Sequence, residues 1–238
     1  MVGRDNVGLL LDSTRDSFPS PFVVFLTNDL TEKVGAHDVV ACLREVICSP
    51  FHSQVVDEAL ARGTHLIVTY HPTPFRGMKR VVREDPVGRV VLKCLANGVA
   101  VYSTHTACDC VPGGVNDWLV KGLGDGSVVP AQPDEGGTGI EGAGFGRVMT
   151  LASPTTLADI IARCKSHLSL PHVRVGIAMN ELAESKADAD TVSTAAANVV
   201  VKTVAVCAGS GASVLGGVDA DVWVTGTPSE LLVRGYRE

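Results

Sequence analysis

No stretch of the 238-residue sequence approaches the ~20 consecutive apolar residues that a membrane-crossing helix needs. The opening residues, MVGRDNVGLLLDS, offer one arginine and only a brief apolar run before Asp12, which is too little for a secretory signal. The expectation is a soluble, intracellular protein, cytoplasmic, with a nuclear or mitochondrial pool left open. Positive charge is not in excess either: 20 Lys and Arg stand against 26 Asp and Glu, a formal net charge of −6. That argues against a general polyanion-binding surface. The basic run Arg76-Gly77-Met78-Lys79-Arg80, with Arg83 beyond it, has no interleaved aromatic ladder. It reads as a solvated loop, a subunit edge or a local phosphate contact, and direct nucleic-acid binding is not expected. The seven cysteines are odd in number, and Cys108-Asp109-Cys110 has no second cysteine pair to complete a zinc ribbon. A disulfide scaffold is therefore not indicated, and a reducing compartment fits best.

What is present is an alternation of short apolar runs and helix-like segments. Phe22–Thr27 reads as a buried strand ending in the polar Asn28-Asp29. Pro50 interrupts the helix-forming stretch 31–62, and Val55–Ala61 reads as a helix closed near Gly63. Thr64–Thr69 is the next strand, with His71-Pro72-Thr73-Pro74 just past its carboxyl end. Pro86 opens a helix over 87–96, Asn97-Gly98 closes it, and 99–102 returns to strand. Further on, 116–122 reads as a short helix, 148–151 as a strand, 157–168 as a helix capped by Ser153 or Thr155, and 173–177 as a strand. The last unit is 203–207, a glycine turn at Ala208-Gly209-Ser210-Gly211 with Ser213 helping to cap a short helix, and 221–225. This is an α/β pattern with parallel or mixed sheets and flanking helices, in two lobes. Residues 1–125 form the first lobe, the Gly/Pro-rich 126–146 an inter-lobe linker, and 147–238 the second lobe.

In such sheets the loops at strand carboxyl ends converge on a cleft. His71 and the stretch Thr104-His105-Thr106-Ala107-Cys108-Asp109-Cys110-Val111-Pro112-Gly113-Gly114 therefore have the chance to face each other. His71, His105 and Asp109 offer imidazole and carboxylate donors for a divalent cation, with water at open positions. Turn hydrogen bonding or local packing would use the same residues, and the Pro-Gly-Gly run suggests a folded loop over 105–114 rather than a helix. Gly209, Ser210 and Gly211 could expose backbone amides to an anion, or simply build a sharp strand-to-helix turn. No final glycine stands at Val214 and no Walker lysine follows. Asn28 and Asp29 could line a cleft or build an Asx turn.

Taken together, several ordered segments resemble one family. DNVGLL at 5–10, LTNDLT at 26–31, YHPTPF at 70–75, THTACDCVPGGVND at 104–117, AGSG at 208–211 and ADVWVTG at 220–226 look like the NGG1-interacting factor 3-like family, also described as GTP cyclohydrolase 1 type 2 homologs. The resemblance spans nearly the whole chain. It implies a two-lobed fold, assembly as a homo-oligomer, often a toroidal hexamer, and a paired divalent-metal site. Its ligands map onto His71 and Asp109, and His105 matches the nearby motif histidine. Tyr70 stands where the family usually has a second histidine. The late histidine and glutamate of the family's closing lobe have no counterpart here, so the second lobe reads as incomplete at its carboxyl end and metal occupancy as partial. The functional expectation is a divalent-metal-binding or interaction protein with no reaction assigned. The alternatives are a metal-dependent hydrolase of a phosphorylated or nucleotide-like small molecule, and a transcription-associated scaffold with a protein partner.

Overall fold

A computed structural model describes residues 7–17, 23–27, 54–135, 139–176, 199–226 and 230–232. The chain divides into two compact units, Val2–Ala107 and Cys108–Glu238, so the boundary falls earlier than the 125 expected from composition. Asn28 and Asp29 lie outside the described residues.

The first unit holds a four-stranded sheet of β1 (Gly8–Leu11), β2 (Val24–Thr27), β3 (Leu66–Thr69) and β4 (Ala100–Ser103), in the order β1-β4-β3-β2. Strands β2, β3 and β4 are parallel, and β1 runs antiparallel to β4. Helices α1 (Gln54–Ala61) and α2 (Pro86–Asn97) supply the crossovers that parallel pairing requires. Val56, Ala59, Ile67, Cys94 and Val101 form their shared core, each wholly buried. Local chemistry sets the ends of α2. Asp85 caps it by accepting from the Gly88 N–H at 2.6 Å, and Pro86 occupies the first turn, where its missing N–H is not needed. Gly98 closes it in a left-handed conformation, φ 64°, with its N–H on the carbonyls of Cys94 and Leu95.

Helix α3 (His105–Cys110) follows β4 directly. The sequence suggested a folded loop here. Instead the helical turn forms before Pro112-Gly113-Gly114, and the turn those residues encode comes after it.

The second unit continues with α4 (Val115–Lys121) and a six-stranded mixed sheet. Its strands are β5 (Gly126–Pro133), β6 (Gly144–Thr156), β7 (Arg174–Gly176), β8 (Val200–Cys207), β9 (Val222–Thr225) and β10 (Glu230–Leu232), in the order β5-β6-β8-β9-β10-β7. The stretch 126–146, read as a linker, is therefore largely structured. Strand β5 pairs antiparallel with β6 from Gly126↔Leu151 to Pro133↔Gly144. Gly126, Pro130 and Pro133 belong to an edge strand, where Pro130 removes a backbone donor that a central strand would need. Helix α5 (Leu157–His167) begins at the expected residue, but β6 runs to Thr156, so neither Ser153 nor Thr155 is its cap. Thr156 is the N-cap in a reciprocal capping box with Asp159. Helix α6 (Ala212–Leu215) has Gly211 as its N-cap without a side-chain bond, so Ser213 does not cap it. Met149, Leu157, Ile160, Val204 and Val222 anchor the core between α5 and the sheet.

Among the described residues of this unit, one charged side chain is embedded. Arg147, on β6, is only 2% exposed. Its Nε and Nη2 grip the Asp117 carboxylate at 2.6 and 3.1 Å. Its Nη1 donates to the Gly144 and Gly146 carbonyls at 2.8 and 2.7 Å, and Nη2 also to those of Cys110 and Val111 at 3.3 and 3.1 Å. Every face of the guanidinium is thus met, which makes burial of the cation tolerable. Arg147→Ala would strand Asp117 and four carbonyls. The expected loss is about 3–5 kcal/mol, read as a lowered urea midpoint, and Arg147→Lys should recover only part of it because an ammonium cannot form the planar fork.

Candidate functional site

The carboxyl ends of β3 and β4 lie side by side, since Thr69 pairs with Ser103. His71 and His105 leave the sheet just beyond these residues. A set of short hydrogen bonds holds the two exits together. Thr104 N–H donates to the Thr69 carbonyl at 3.1 Å and His105 N–H to the Tyr70 carbonyl at 2.9 Å. The buried Ser103 hydroxyl donates to the Tyr70 carbonyl at 2.8 Å, and the buried Thr69 hydroxyl to that of His71 at 3.0 Å. The rings of His71 and His105 end 6.0 Å apart between centroids. Tyr70 sits against both, 4.9 Å from His71 and 6.0 Å from His105, and Phe75 lies 6.1 Å from His105.

His105 has φ 29°, in the region that side-chain-bearing residues avoid. Such a conformation costs on the order of 1–3 kcal/mol and persists only where neighbours enforce it. The bond from its N–H to Tyr70 is one of those enforcers, and the helix that starts at His105 is another. The sequence pairing of His71 with His105 thus corresponds to a built arrangement in the first unit. A spacing of 6.0 Å is compatible with two imidazoles sharing one cation, given metal–nitrogen bonds of about 2.0–2.1 Å. Among the described residues, however, no three His, Cys, Asp or Glu side chains gather closely enough to form a metal-holding group by themselves.

Asp109 belongs to the second unit, where its segment is fixed from both sides. The Asn116 side chain, 1% exposed, donates from Nδ2 to the Asp109 carbonyl at 3.0 Å, and its Oδ1 accepts the Ala208 N–H at 2.7 Å. One buried amide thereby joins the Cys108–Gly114 segment to the turn at 208–211. The Pro-Gly-Gly turn is closed by Asp117, whose Oδ2 accepts the Gly113 N–H at 2.6 Å. Gly114 is needed for space: a Cβ there would overlap the Cys108 carbonyl.

The turn at 208–211 is itself bonded internally. Thr225 Oγ1 accepts from the Gly211 N–H at 2.8 Å and donates to the Gly209 carbonyl at 2.9 Å, and the Gly226 N–H reaches the same carbonyl at 2.9 Å. Gly209 and Ser210 are exposed at its tip. Asp109 also acts on Cys207: burial, with a smaller contribution from the Asp109 charge, raises that thiol from 9.0 to about 11. Burial alone raises Cys94 from 9.0 to about 11. These thiols are protonated at neutral pH and are poor nucleophiles. All five described cysteines are free.

Sequence reasoning named Asn116, Asp117 and Thr225 within motifs but gave them no role, and it missed Arg147. Arg147 carried one signal, a cation directly before the strand read at 148–151, whereas Thr225 looked like any strand-end threonine.

A family model described as Duf34/NIF3 (NGG1p interacting factor 3) matches residues 41–238. The chain belongs to this family. The Schizosaccharomyces pombe protein NIF3 homolog is 38% identical over 229 residues, covering 93% of this chain and 68% of that protein. Homo sapiens NIF3-like protein 1 is 30% identical over 312 residues, covering 94% of this chain and 72% of that protein. Among solved structures, Staphylococcus aureus protein SA1388 superposes with a TM-score of 0.62 at 21% identity, covering 96% of this chain and 78% of that one, a likeness of fold. The α/β class with mixed sheets is thus the family's fold. No helix among the described residues is long and apolar enough to cross a membrane.

Asn116→Ala would leave the Ala208 N–H and the Asp109 carbonyl without their buried partner. The expected cost is about 2–4 kcal/mol, seen in chemical denaturation, with faster amide exchange at Ala208. The raised thiols set a pH dependence. Cys94 and Cys207 keep their protons when folded to about pH 11 but lose them near 9 when unfolded. Their contribution to stability is complete below pH 9 and declines as pH rises from 9 to 11. Denaturation midpoints measured across that window should fall, and less steeply in Cys207→Ala.

Proposed function

We propose that this chain is a divalent-metal-binding member of the Duf34/NIF3 family, with His71, His105 and Asp109 as its protein donors. The observation that supports this reading is the imidazole pair at the ends of adjacent parallel strands, held 6.0 Å apart by bonds to backbone and with His105 kept at φ 29°. Strained backbone of this kind is found where side-chain placement matters more than local comfort. His71 and His105 would bind as neutral imidazoles and Asp109 as a carboxylate, while Tyr70, a poorer neutral ligand, packs edge-on against both rings. A cation held there would supply Lewis acidity and an acidified water. Three donors leave coordination positions to water or to a second copy of the chain, so weak binding at partial occupancy is expected. Seven cysteines, odd in number and without a scaffold pattern, suit a reducing, cytoplasmic setting.

A hydrolase of a phosphorylated or nucleotide-like small molecule is the reading to which such a centre extends, and a Clostridium perfringens relative carries the name GTP cyclohydrolase 1 type 2 homolog. A second reading, a protein-interaction role, is favoured by the name of the Saccharomyces cerevisiae relative, NGG1-interacting factor 3. Assembly as a homo-oligomer, a hexamer in the family pattern, is compatible with either.

Metal analysis after gentle purification, paired with titration of zinc, manganese, iron, nickel and cobalt, tests the proposal. Asp109→Ala and His71→Ala should each weaken uptake roughly tenfold or more, and Cys110→Ala should do so far less. Wild-type protein that takes up none of these ions would sink the metal reading and leave the interaction role.

A further inference from the structure

The loop from β3 to α2 carries four cations, Arg76, Lys79, Arg80 and Arg83, against two acids, Glu84 and Asp85. All four cations are exposed, and among the described residues none of their side chains has a hydrogen bond or ion pair. Asp85 is already committed to the Gly88 N–H. The loop is tied down at both ends. At its start Thr69 holds the His71 carbonyl. At its finish Arg89 on α2 donates to the carbonyls of Arg83 and Glu84 at 2.9 and 3.4 Å. The Val82 backbone also lies so close to Gly88 that a Cβ there would overlap the Val82 carbonyl. Like charges crowded on a tethered loop repel one another; among the described residues none of the four is in an ion pair, and Glu84, beside Arg83, is the loop's remaining acid. Phe75, on the same loop, is 58% exposed while its ring stands 6.1 Å from His105. A largely exposed aromatic residue beside His105 is thus followed, within a few residues of sequence, by four exposed cations.

We infer that loop 75–83 is a recognition site for a small ligand joining a flat aromatic ring to a phosphate, the class that includes nucleoside monophosphates. Phe75 takes the ring by stacking, and Arg76, Lys79 and Arg80 take the phosphate through charge-assisted hydrogen bonds. One aromatic and one cationic loop suit a single nucleotide. A strand of nucleic acid would need a succession of stacking rings along a basic groove, which this acidic chain does not encode. The inference rests on the nucleotide-like alternative and deepens it by naming the loop that would hold such a ligand, and it is independent of the metal proposal.

Calorimetric titration of the full chain with adenosine 5′-monophosphate, adenosine, ribose 5-phosphate and a single-stranded 12-mer, at low salt and with chelator present, tests it. The monophosphate should bind about tenfold tighter than either fragment. The triple variant Arg76→Ala, Lys79→Ala, Arg80→Ala should lose roughly tenfold or more for the monophosphate and nothing for adenosine. Phe75→Ala should make the monophosphate and ribose 5-phosphate equivalent. The substituted side chains are exposed, so unchanged circular dichroism and melting are expected and separate loss of binding from loss of fold. Equal affinity for the monophosphate and its fragments, or no change in the triple variant, overturns the inference. Binding of the 12-mer alone overturns it in favour of a nucleic-acid edge, and binding abolished by chelator overturns it by assigning the phosphate to a metal. Failed metal uptake with intact monophosphate binding would sink the metal proposal and leave this one standing.

Discussion

A single buried guanidinium organises the second unit. Arg147 lies on β6, yet its five N–H groups serve the carbonyls at the end of α3, the carboxylate of α4 and the glycine carbonyls of its own strand. A cation removed from water at 2% exposure is stable only when each donor finds an acceptor, so all of these segments are constrained together. The Pro-Gly-Gly turn shares in this, because Asp117 holds the Gly113 N–H with the same carboxylate that grips Arg147. The dense polar stretch after β4 is therefore not held by a thiolate or a disulfide. An ion pair whose other half lies thirty residues further on keeps it in place.

Asn116 extends that order to the chemistry-bearing residues. Its two bonds put the Asp109 segment and the 208–211 turn on one buried amide, and the Cys207 thiol, raised chiefly by burial, is raised further by the Asp109 charge. The first unit reaches a similar end differently, by adjacency of parallel strands. Residues that follow the ends of β3 and β4 emerge together, and hydroxyls of Thr69 and Ser103 fasten the two exits. His71 and His105 inherit their spacing from that sheet geometry, and the exposed cations beyond Phe75 lie on the loop that follows the same strand.

Much of the first unit was legible because its signals are local. Asp85-Pro86 and Asn97-Gly98 bracket α2 through a cap, a tolerated first-turn proline and a left-handed glycine, all interactions within a few residues. The strands at 66–69 and 100–103 are short apolar runs between such markers. Strand β5 was not legible, since Pro130 and the glycines around it resemble a linker until β6 is known to lie alongside. Helix α3 was misread for a related reason. The Pro-Gly-Gly signal is real, but it governs the residues after Cys110 and leaves one helical turn before it free to form.

By itself the sequence determined the α/β class, the succession of elements, the family motifs and the candidacy of His71, His105 and Asp109, because periodicity, caps and turn residues act over short spans of chain. Only the tertiary structure decided the conformation of His105, the roles of Arg147, Asn116 and Thr225, and the shift of Cys207. Each of these depends on atoms supplied by segments distant in sequence: Tyr70 for His105, Asp117 for Arg147, Ala208 for Asn116, Gly209 for Thr225, and burial with a smaller contribution from Asp109 for Cys207. A hydrogen bond or a desolvated charge has no meaning until its partner is placed, and placement is what the packed sheets provide.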